Sequence, residues 1–456
     1  MKHIPLAVRA AAAVASAVLC LVVAASPAVS SGSSSHTPRT PIKHFVVVMQ
    51  ENHTFDNYFG TYPGANGIPP GARMPLDRAS ASAVYATPFH IGGSAATDLN
   101  HSIASADIAY HGGRMDGFSA AQQIGAPARQ VMGYYNGSDL PLYWNMADQY
   151  VLFDRFFSSA LGGSLINHYY WVAGGIGGAQ GSTLSRPLDV PTIFDRLQQA
   201  GVSWKFYVQN YNPKVNFKTV PPTTVANSGS QTVWVPLLDI PRFVNNHRLF
   251  SHIVDLKQYF TDLHDGTLPQ VAFIVPSGAS EHPPGSIQAG QQYVGGLVNS
   301  LIASSSWSSS AFMLAYDDWG GWYDHVVPPR RDANGDGFRV PALLVSPYAR
   351  RHFIDHTTLD FTSMLAFIEM NWNLRPLTRL DATSQSIMGA FDFRQAPRPA
   401  AFISMSRSEG AVGTTRVRDA ALYSLYGAGA LLAVGVVLVA GGVNRRRARW
   451  PGRSAD

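Results

Sequence analysis

The sequence predicts an α/β fold with a mainly parallel sheet, and two observations support this class. First, short apolar runs alternate along the 456 residues with stretches of helical periodicity, which is typical of a sheet whose strands are connected by helices. Second, two of the apolar runs end abruptly on polar side chains, at the edge where an open sheet binds its ligands. The predicted strands include 45–49, 272–276, 312–316 and 342–346, and the predicted helices include 191–200 and 293–303.

The polar side chains at these two strand ends carry oxygen donors. Glu51 and Asn52 follow the first strand, and Asp317 and Asp318 follow the strand 312–316. Carboxylate and amide oxygens are ligands for hard divalent cations, and adjacent carboxylates repel each other unless a cation lies beside them. Each pair alone is also compatible with a solvated turn. The two pairs together predict a site for a divalent metal ion, whose identity the sequence does not give.

The amino-terminal residues predict export. Residues 1–30 combine two basic residues, Lys2 and Arg9, with an apolar run and a small-residue cleavage region, as a secretory signal peptide does. The only cysteine, Cys20, lies inside this segment, so no disulfide is expected in the mature chain. Residues 31–40 are rich in serine and predict a disordered linker. We assign 41–396 to one catalytic domain, with 202–270 as a possible cap or insertion.

The carboxyl-terminal residues predict a membrane anchor. A polar stretch at 397–419 is interpreted as a stalk, and the apolar segment 420–443 is long enough for a transmembrane helix. A buried core helix is the alternative, but the basic tail at 444–456, with four arginines within 445–449, places that side in the cytoplasm. We therefore expect a single-pass protein of the cell membrane with an extracellular catalytic domain. The net charge is +5, but the folded region has no basic run with interleaved aromatics, so no nucleic-acid partner is expected.

Six motifs lie in a fixed order within roughly residues 40–375, a more specific signal than any short motif. The motifs are Glu-Asn-His-Thr-Phe-Asp at 51–56, Gly-Arg-Met-Asp-Gly-Phe at 113–118, the block 152–167, Glu-His-Pro-Pro at 281–284, the block 317–326 and the block 339–349. In this order they resemble bacterial phosphoesterases that include phosphatidylcholine-type phospholipases C and related acid phosphatases. The resemblance implies an alkaline-phosphatase-like layered fold with helices on both faces of the sheet.

The resemblance also implies a nucleophile. Ser164, which follows two glycines and opens a predicted helix, matches the Ser or Thr nucleophile of the family. A helix amino terminus attracts a phosphoryl group, although serine at such a position is also a common helix cap. As a metal ligand, Ser164 could lose its proton and form a covalent phosphoserine. The remaining metal ligands implied are Glu51, Asn52, Asp317 and Asp318.

Histidines are the expected proton donors, because a leaving alkoxide needs a proton and phosphoryl oxygens need hydrogen-bond donors. The candidate catalytic histidines are His101, His282 and His325. Three other histidines are interpreted as surface or packing residues, namely His53, His111 and His168. Many phospholipases of the family have Glu-His where this chain has Asp318-Trp319, a departure that favours the phosphatase branch.

These assignments predict a secreted, membrane-tethered, metal-dependent phosphoric-ester hydrolase of the phospholipase C or acid phosphatase type. Its substrate would be a phosphate ester or a phospholipid, and the sequence does not decide between monoesters and diesters. The alternative is a non-catalytic cell-envelope protein that retains the fold for ligand binding. The joint presence of nucleophile, histidines and metal ligands favours the enzyme, because an inert scaffold would not need them together.

Overall fold

The computed structural model of the chain describes residues 37–76, 84–93, 96–122, 126–177, 187–220 and 230–407. The predicted signal peptide, the predicted transmembrane segment 420–443 and the tail 444–456 lie outside these residues. The signal peptide therefore stays a prediction.

The strands of the described residues range from two to seven residues. In chain order they are β1 (His44–Gln50), β2 (Met74–Pro75), β3 (Tyr85–Ala86), β4 (Phe89–His90), β5 (Gly133–Tyr134), β6 (Val151–Phe153), β7 (Phe156–Phe157), β8 (Trp204–Val208), β9 (Ile253–Asp255), β10 (Val271–Val275), β11 (Ser310–Tyr316), β12 (Ala342–Val345), β13 (Phe353–Asp355) and β14 (Leu359–Asp360).

The α-helices between them are α1 (Phe55–Phe59), α2 (Ile103–Tyr110), α3 (Ala126–Gln130), α4 (Pro141–Gln149), α5 (Ser164–Ala173), α6 (Ile193–Ala200), α7 (Ser230–Trp234), α8 (Pro241–Val244), α9 (His247–Phe250), α10 (Lys257–Asp265), α11 (Ile287–Ala303), α12 (Phe361–Trp372) and α13 (Arg379–Thr383). Short 3₁₀ helices lie at His111–Gly113, Ala120–Gln122, Pro236–Asp239, Trp307–Ser309 and Ile387–Ala390.

Eight strands form the central sheet in the order β13-β6-β12-β11-β1-β10-β8-β9. β1 lies at its centre and pairs in parallel with β10 and β11, so that Val47 is opposite both Phe273 and Met313. Only β12 within this sheet runs against its neighbours, β11 and β6. Almost every residue of β1, β10 and β11 is buried, as expected for parallel strands covered on both faces. The predicted α/β class with a mainly parallel sheet is confirmed.

Helices cover both faces of this sheet. Phe206 and Tyr207 are consecutive residues of β8, so their side chains point to opposite faces. The Phe206 ring packs against Phe194 of α6, with ring centroids 5.8 Å apart, whereas the Tyr207 ring packs against Tyr259 of α10 at 5.5 Å. The helices α6 and α10 therefore lie on opposite faces, and the sheet forms the middle of three layers.

Three segments near the predicted domain boundaries make contacts with the central sheet and its helices. β8 and β9 belong to one edge of the central sheet, so this part of the segment 202–270 is sheet rather than a separate cap. Residue Thr40 of the predicted linker donates from its backbone N to Asn371 Oδ1 at 3.1 Å. In the predicted stalk, buried Ile403 donates its N–H to Asn299 Oδ1 at 2.9 Å. Packing against the domain thus begins before residue 41 and continues beyond 396.

The predicted location in the cell membrane is contradicted. Among the helices of the described ranges, none has the length and apolar character required to cross a bilayer. α11 has 17 residues, which is about 26 Å at 1.5 Å per residue, and it carries three glutamines and an asparagine. The segment 420–443, on which the prediction rested, lies outside the described residues. We withdraw the expectation of a single-pass protein with an extracellular domain.

Candidate active site and metal centre

The predicted metal ligands come together at the carboxyl ends of neighbouring strands. Glu51 and Asn52 follow β1, and Asp317 and Asp318 follow the adjacent strand β11. All four residues are buried, with at most 1 % of their surface exposed. The loop after β10, the neighbour of β1 on the other side, carries His282. Because parallel strands end at the same edge, the sheet brings these distant parts of the sequence to one place.

The backbone of the two strand ends is held in a compact arrangement. Asn52 has a left-handed backbone, with φ of 65°, and its N–H donates to Asp317 Oδ1 at 3.0 Å. The N–H of Asp318 donates to the same oxygen at 2.7 Å. Gly320 has φ of 56°, and a Cβ at that position would lie 2.1 Å from the carbonyl oxygen of Asn52. Glycine is required there because the two turns touch at backbone level.

Ser164 is the first residue of α5 and faces two of the acids. Its hydroxyl donates to Asp318 Oδ2 at 3.2 Å, and the same oxygen lies 3.5 Å from Glu51 Oε2. The N-cap of α5 is Gly163, which makes no side-chain capping bond. The alternative interpretation of Ser164 as the helix cap therefore does not describe this helix, and its hydroxyl belongs to the acidic cluster.

The acids of the cluster repel one another's negative charge. Burial, together with the negative charges of Asp317 and Asp318, raises the pKa of Glu51 well above its usual range. Burial and the Asp317 charge raise the pKa of Asp318 in the same direction. Among the described residues, Asp317 Oδ2 and Asn52 Oδ1 are buried oxygens without a hydrogen-bond partner. Clustered carboxylates with orphaned oxygens fit a divalent cation, so these residues could hold one.

His168 joins this cluster, although the sequence interpretation assigned it to packing. Its Nε2 lies 3.3 Å from Glu51 Oε1 and 3.8 Å from Asp317 Oδ2. These three ligand atoms are close enough to bind one metal ion. Burial lowers the pKa of His168 to about 4, so the ring is neutral at pH 7. The available signal was its spacing, because a residue four positions after Ser164 lies on the same face of the helix.

The candidate histidines His101 and His282 lie beside one another. Their ring centroids are 5.4 Å apart. His101 Nδ1 is 2.7 Å from the carbonyl oxygen of Leu99, and His282 Nδ1 is 2.8 Å from that of Pro283. A carbonyl oxygen only accepts hydrogen bonds, so Nδ1 is the protonated nitrogen in both rings. Each neutral ring then keeps a lone pair on Nε2, and that of His101 faces the Asn52 amide nitrogen at 3.3 Å.

His325 makes its contacts in a different cluster. Its Nδ1 lies 2.7 Å from Asp56 Oδ2 and its Nε2 lies 3.2 Å from Asn66 Oδ1. The buried guanidinium of Arg339 donates to Asp56 at 3.0 Å and to Asp324 at 2.8 Å. The geometry thus joins His101 and His282 to the acidic cluster and joins His325 to an Arg339 ion-pair network.

Replacing Arg339 by alanine is expected to lower the free energy of unfolding by about 3 kcal/mol, because it leaves two buried carboxylates without their partner. Urea denaturation followed by circular dichroism measures the loss. Arg394→Ala is the matched control, since Arg394 pairs with Asp392 at 3.1 Å while 92 % of its side chain is exposed. That variant should unfold like the unmodified protein. Equal behaviour of the two variants would contradict a structural role of the network.

The model of the phosphoesterase family matches residues 42–375. The chain therefore belongs to the phosphoesterase family. This confirms the family that the ordered motifs suggested and identifies the protein as a hydrolase acting on phosphoric ester bonds.

Several curated relatives are phospholipases C. Phospholipase C B of Mycobacterium tuberculosis is 29 % identical over 421 residues, a match that covers 79 % of this chain and 79 % of the relative. Non-hemolytic phospholipase C of Pseudomonas aeruginosa is 26 % identical, with 77 % of this chain and 57 % of the relative covered. Non-specific phospholipase C1 of Arabidopsis thaliana is 25 % identical, with coverages of 80 % and 73 %.

Solved structures with a similar arrangement are more distant. One is a protein of the alkaline phosphatase superfamily from Vibrio parahaemolyticus, with a TM-score of 0.38 and 12 % identity over 76 % of this chain and 72 % of that one. Another is the lipoteichoic acid synthase LtaP from Listeria monocytogenes, with a TM-score of 0.35 and 8 % identity, covering 80 % of this chain and 78 % of that one.

Proposed function

We propose that this phosphoesterase is a metal-dependent hydrolase of phospholipids or related phosphate esters that uses Ser164 as its nucleophile. The observation that carries the proposal is the position of the Ser164 hydroxyl. It lies at the start of α5 and within hydrogen-bond distance of Asp318 and Glu51, whose chain neighbours Asp317 and Asn52 carry the orphaned oxygens.

The residues that would hold the metal ion are Glu51, Asn52, Asp317 and Asp318, together with Ser164 itself. A divalent ion in such a site lowers the pKa of a ligated hydroxyl and neutralises negative charge on the phosphoryl group. Asp318 Oδ2 accepts the Ser164 hydroxyl proton in a hydrogen bond, which directs an oxygen lone pair away from that bond. Glu51 Oε2 lies 3.5 Å from the same hydroxyl oxygen.

The reaction would proceed in two steps, in which the phosphoryl group is transferred first to Ser164 and then from Ser164 to water. Ser164 Oγ forms a bond to phosphorus, loses its proton, and the bond from phosphorus to the leaving alcohol oxygen breaks. The alcohol oxygen takes up a proton as it leaves. Water then attacks the phosphoserine, the Oγ–P bond breaks, and the hydroxyl of Ser164 is restored. The free N–H groups at the amino terminus of α5 stabilise phosphoryl oxygens through both steps.

His101 and His282 are proposed to move the protons. The Nδ1 of each ring is fixed by a backbone carbonyl, so Nε2 is the nitrogen that gains and loses a proton. A protonated Nε2 can deliver that proton to the leaving alcohol or donate a hydrogen bond to a phosphoryl oxygen. His282 also lies close enough to Asp318 that its protonated form would favour the ionised carboxylate.

The purified chain tests this function with two substrates, phosphatidylcholine vesicles and p-nitrophenyl phosphate, each with and without a chelator. We expect release of phosphocholine from the vesicles, loss of that activity with the chelator, and its return with added divalent ions. The names of the relatives support the phospholipid. Hydrolysis of the monoester alone would move the substrate to the phosphatase class, and full activity in the chelator would overturn the metal requirement.

His168→Ala is expected to weaken binding of Zn²⁺ or Mn²⁺ about tenfold, because it removes a buried nitrogen that lies against two of the proposed ligands. Isothermal titration calorimetry on the metal-free protein measures the affinity. His44→Ala is the control, since His44 opens β1 at its opposite end and contacts the Pro269 carbonyl at 3.0 Å. An unchanged affinity in His168→Ala would remove this histidine from the metal centre.

A further inference from the structure

A second buried acid, Glu281, lies outside the proposed metal ligands and receives hydrogen bonds from three phenols. Tyr58 OH donates to Oε2 at 2.5 Å, and Tyr316 OH donates to the same oxygen at 2.6 Å. Tyr143 OH donates to Oε1. Burial raises the pKa of Glu281 to about 7, while the phenol hydrogen bonds act in the opposite direction. Three donors satisfy a carboxylate that would be costly to bury without hydrogen bonds, and they connect it to three separate elements of the fold.

The backbone of Glu281 is fixed as well. Its N–H donates to Gln50 Oε1 at 3.1 Å, and Gln50 Nε2 donates to the carbonyl oxygen of Ala279, also at 3.1 Å. The carbonyl oxygen of Glu281 lies 3.2 Å from His53 Nε2. The loop that leads to His282 is therefore attached to Gln50 of β1 at Ala279 and at the N–H of Glu281, and the Glu281 carbonyl contacts His53, just beyond the end of β1.

Three residues of this arrangement directly precede residues of the candidate site. Gln50 precedes Glu51, Tyr316 precedes Asp317, and Glu281 itself precedes His282. Gln50 and Tyr316 are also opposite each other in the parallel register of β1 and β11. A displacement of the Glu281 side chain would therefore be passed directly to the metal-carrying strand ends and to His282.

The packing around Glu281 leaves it little freedom. Gly290 of α11 passes so close that a Cβ at that position would lie 2.1 Å from Glu281 Cγ and Oε1. Real side chains do not approach so closely, so α11 can cover the carboxylate only with a glycine there. The carboxylate is thus held by phenols on one side and by a helix backbone on the other.

We propose that Glu281 is a positioning residue of the phosphoesterase reaction, whose carboxylate sets the spacing between the strand end at Asp317 and the imidazole of His282. The inference rests on the proposed function, because it assigns Asp317 and His282 their roles in that reaction. A purely structural Glu281 would stabilise the fold to the same extent through each phenol. If Glu281 positions the site, loss of the phenol next to the proposed metal site should lower kcat more than loss of the other phenols.

The test compares Tyr316→Phe with Tyr143→Phe. Each change removes one hydroxyl that donates to Glu281 and keeps the ring, but α4, which carries Tyr143, bears none of the proposed site residues. We expect similar losses in thermal stability. We expect kcat to fall at least tenfold in Tyr316→Phe with KM changed less than threefold, and kcat to stay within twofold in Tyr143→Phe. Equal effects of the two variants on kcat would overturn the proposal.

Glu281→Gln adds a spectroscopic measurement. The amide keeps the volume but replaces one accepting oxygen by a nitrogen that donates, so at least one phenol loses its acceptor. We expect a shift of the His282 imidazole ¹⁵N signals and a lower kcat; unchanged signals and rate would contradict a positioning role. If this variant does not fold, the two phenylalanine variants decide the question.

Failure of the proposed function can be told apart from failure of the positioning role of Glu281. It would show as an unmodified protein that hydrolyses neither ester. The affinities of Tyr316→Phe and Tyr143→Phe for Mn²⁺, measured by calorimetry, then still test the positioning. A weaker affinity in Tyr316→Phe alone supports it, and equal affinities overturn it.

Discussion

Ser164→Ala should lower kcat about 10⁴-fold, equivalent to about 5.5 kcal/mol of activation free energy. The reason is that the change removes the proposed attacking oxygen, which lies within hydrogen-bond distance of both Glu51 and Asp318. Initial rates on phosphatidylcholine vesicles measure the effect. The thermal midpoint should change little, because Gly163 rather than Ser164 caps the helix.

Thr192→Ala provides the control for Ser164→Ala. Thr192 is a true N-cap in a capping box with Asp195 of α6, so its replacement should cost about 1 kcal/mol of stability and leave the rate unchanged. If Ser164→Ala instead behaved like Thr192→Ala, with lower stability and a rate within tenfold of the unmodified protein, the nucleophile assignment would be wrong.

Asp318→Asn should have effects of opposite sign on catalysis and on the stability of the metal-free protein. Loss of a metal ligand and of the acceptor for the Ser164 hydroxyl should reduce kcat about 10³-fold and weaken metal binding in parallel. Without metal, the amide relieves the repulsion within the cluster, so the free energy of unfolding at pH 7 should rise. Calorimetry with Mn²⁺ and urea denaturation in chelator measure the two effects.

The pH dependence of the free energy of unfolding also depends on Asp318. Because its pKa is raised in the folded state, the folded metal-free protein binds more protons than the unfolded chain between the unfolded and folded pKa values. The free energy of unfolding should therefore fall as pH rises through that interval, and Asp318→Asn should reduce the slope. Asp392→Asn, on the surface, is the control and should leave metal binding and rate unchanged. A steeper slope in Asp318→Asn would contradict the charge account.

The sheet and its metal-carrying edge could be predicted because both depend on local sequence. An apolar run such as 45–49 identifies a buried strand, and the acids that follow mark its carboxyl end. The ordered motifs then supplied Ser164, His101 and His282, which the structure places around these acids. No local pattern predicted that β12 would run antiparallel, since strand direction in a sheet depends on the path of the whole chain.

Histidine roles were harder to predict because they depend on tertiary contacts. His325 follows Asp317 and Asp318 closely in sequence. In the structure, however, it contacts Asp56, which is also paired with Arg339. His168 is buried like a packing residue, and only the approach of α5 to β1 places it against Glu51. The acceptor site at Glu281 draws its three phenols from separate elements, so spacing along the chain could not reveal it.

The central claim is that Ser164 carries the phosphoryl group during turnover. Rapid acid quenching during hydrolysis of phosphatidylcholine, followed by mass spectrometry of the peptide that contains Ser164, tests it most directly. The account predicts a phosphorylated Ser164 in the unmodified protein, no such species in Ser164→Ala, and its disappearance when chelator is added before the substrate. An active enzyme whose Ser164 peptide stays unmodified at every quench time, or a phosphorylated residue elsewhere, would contradict the account.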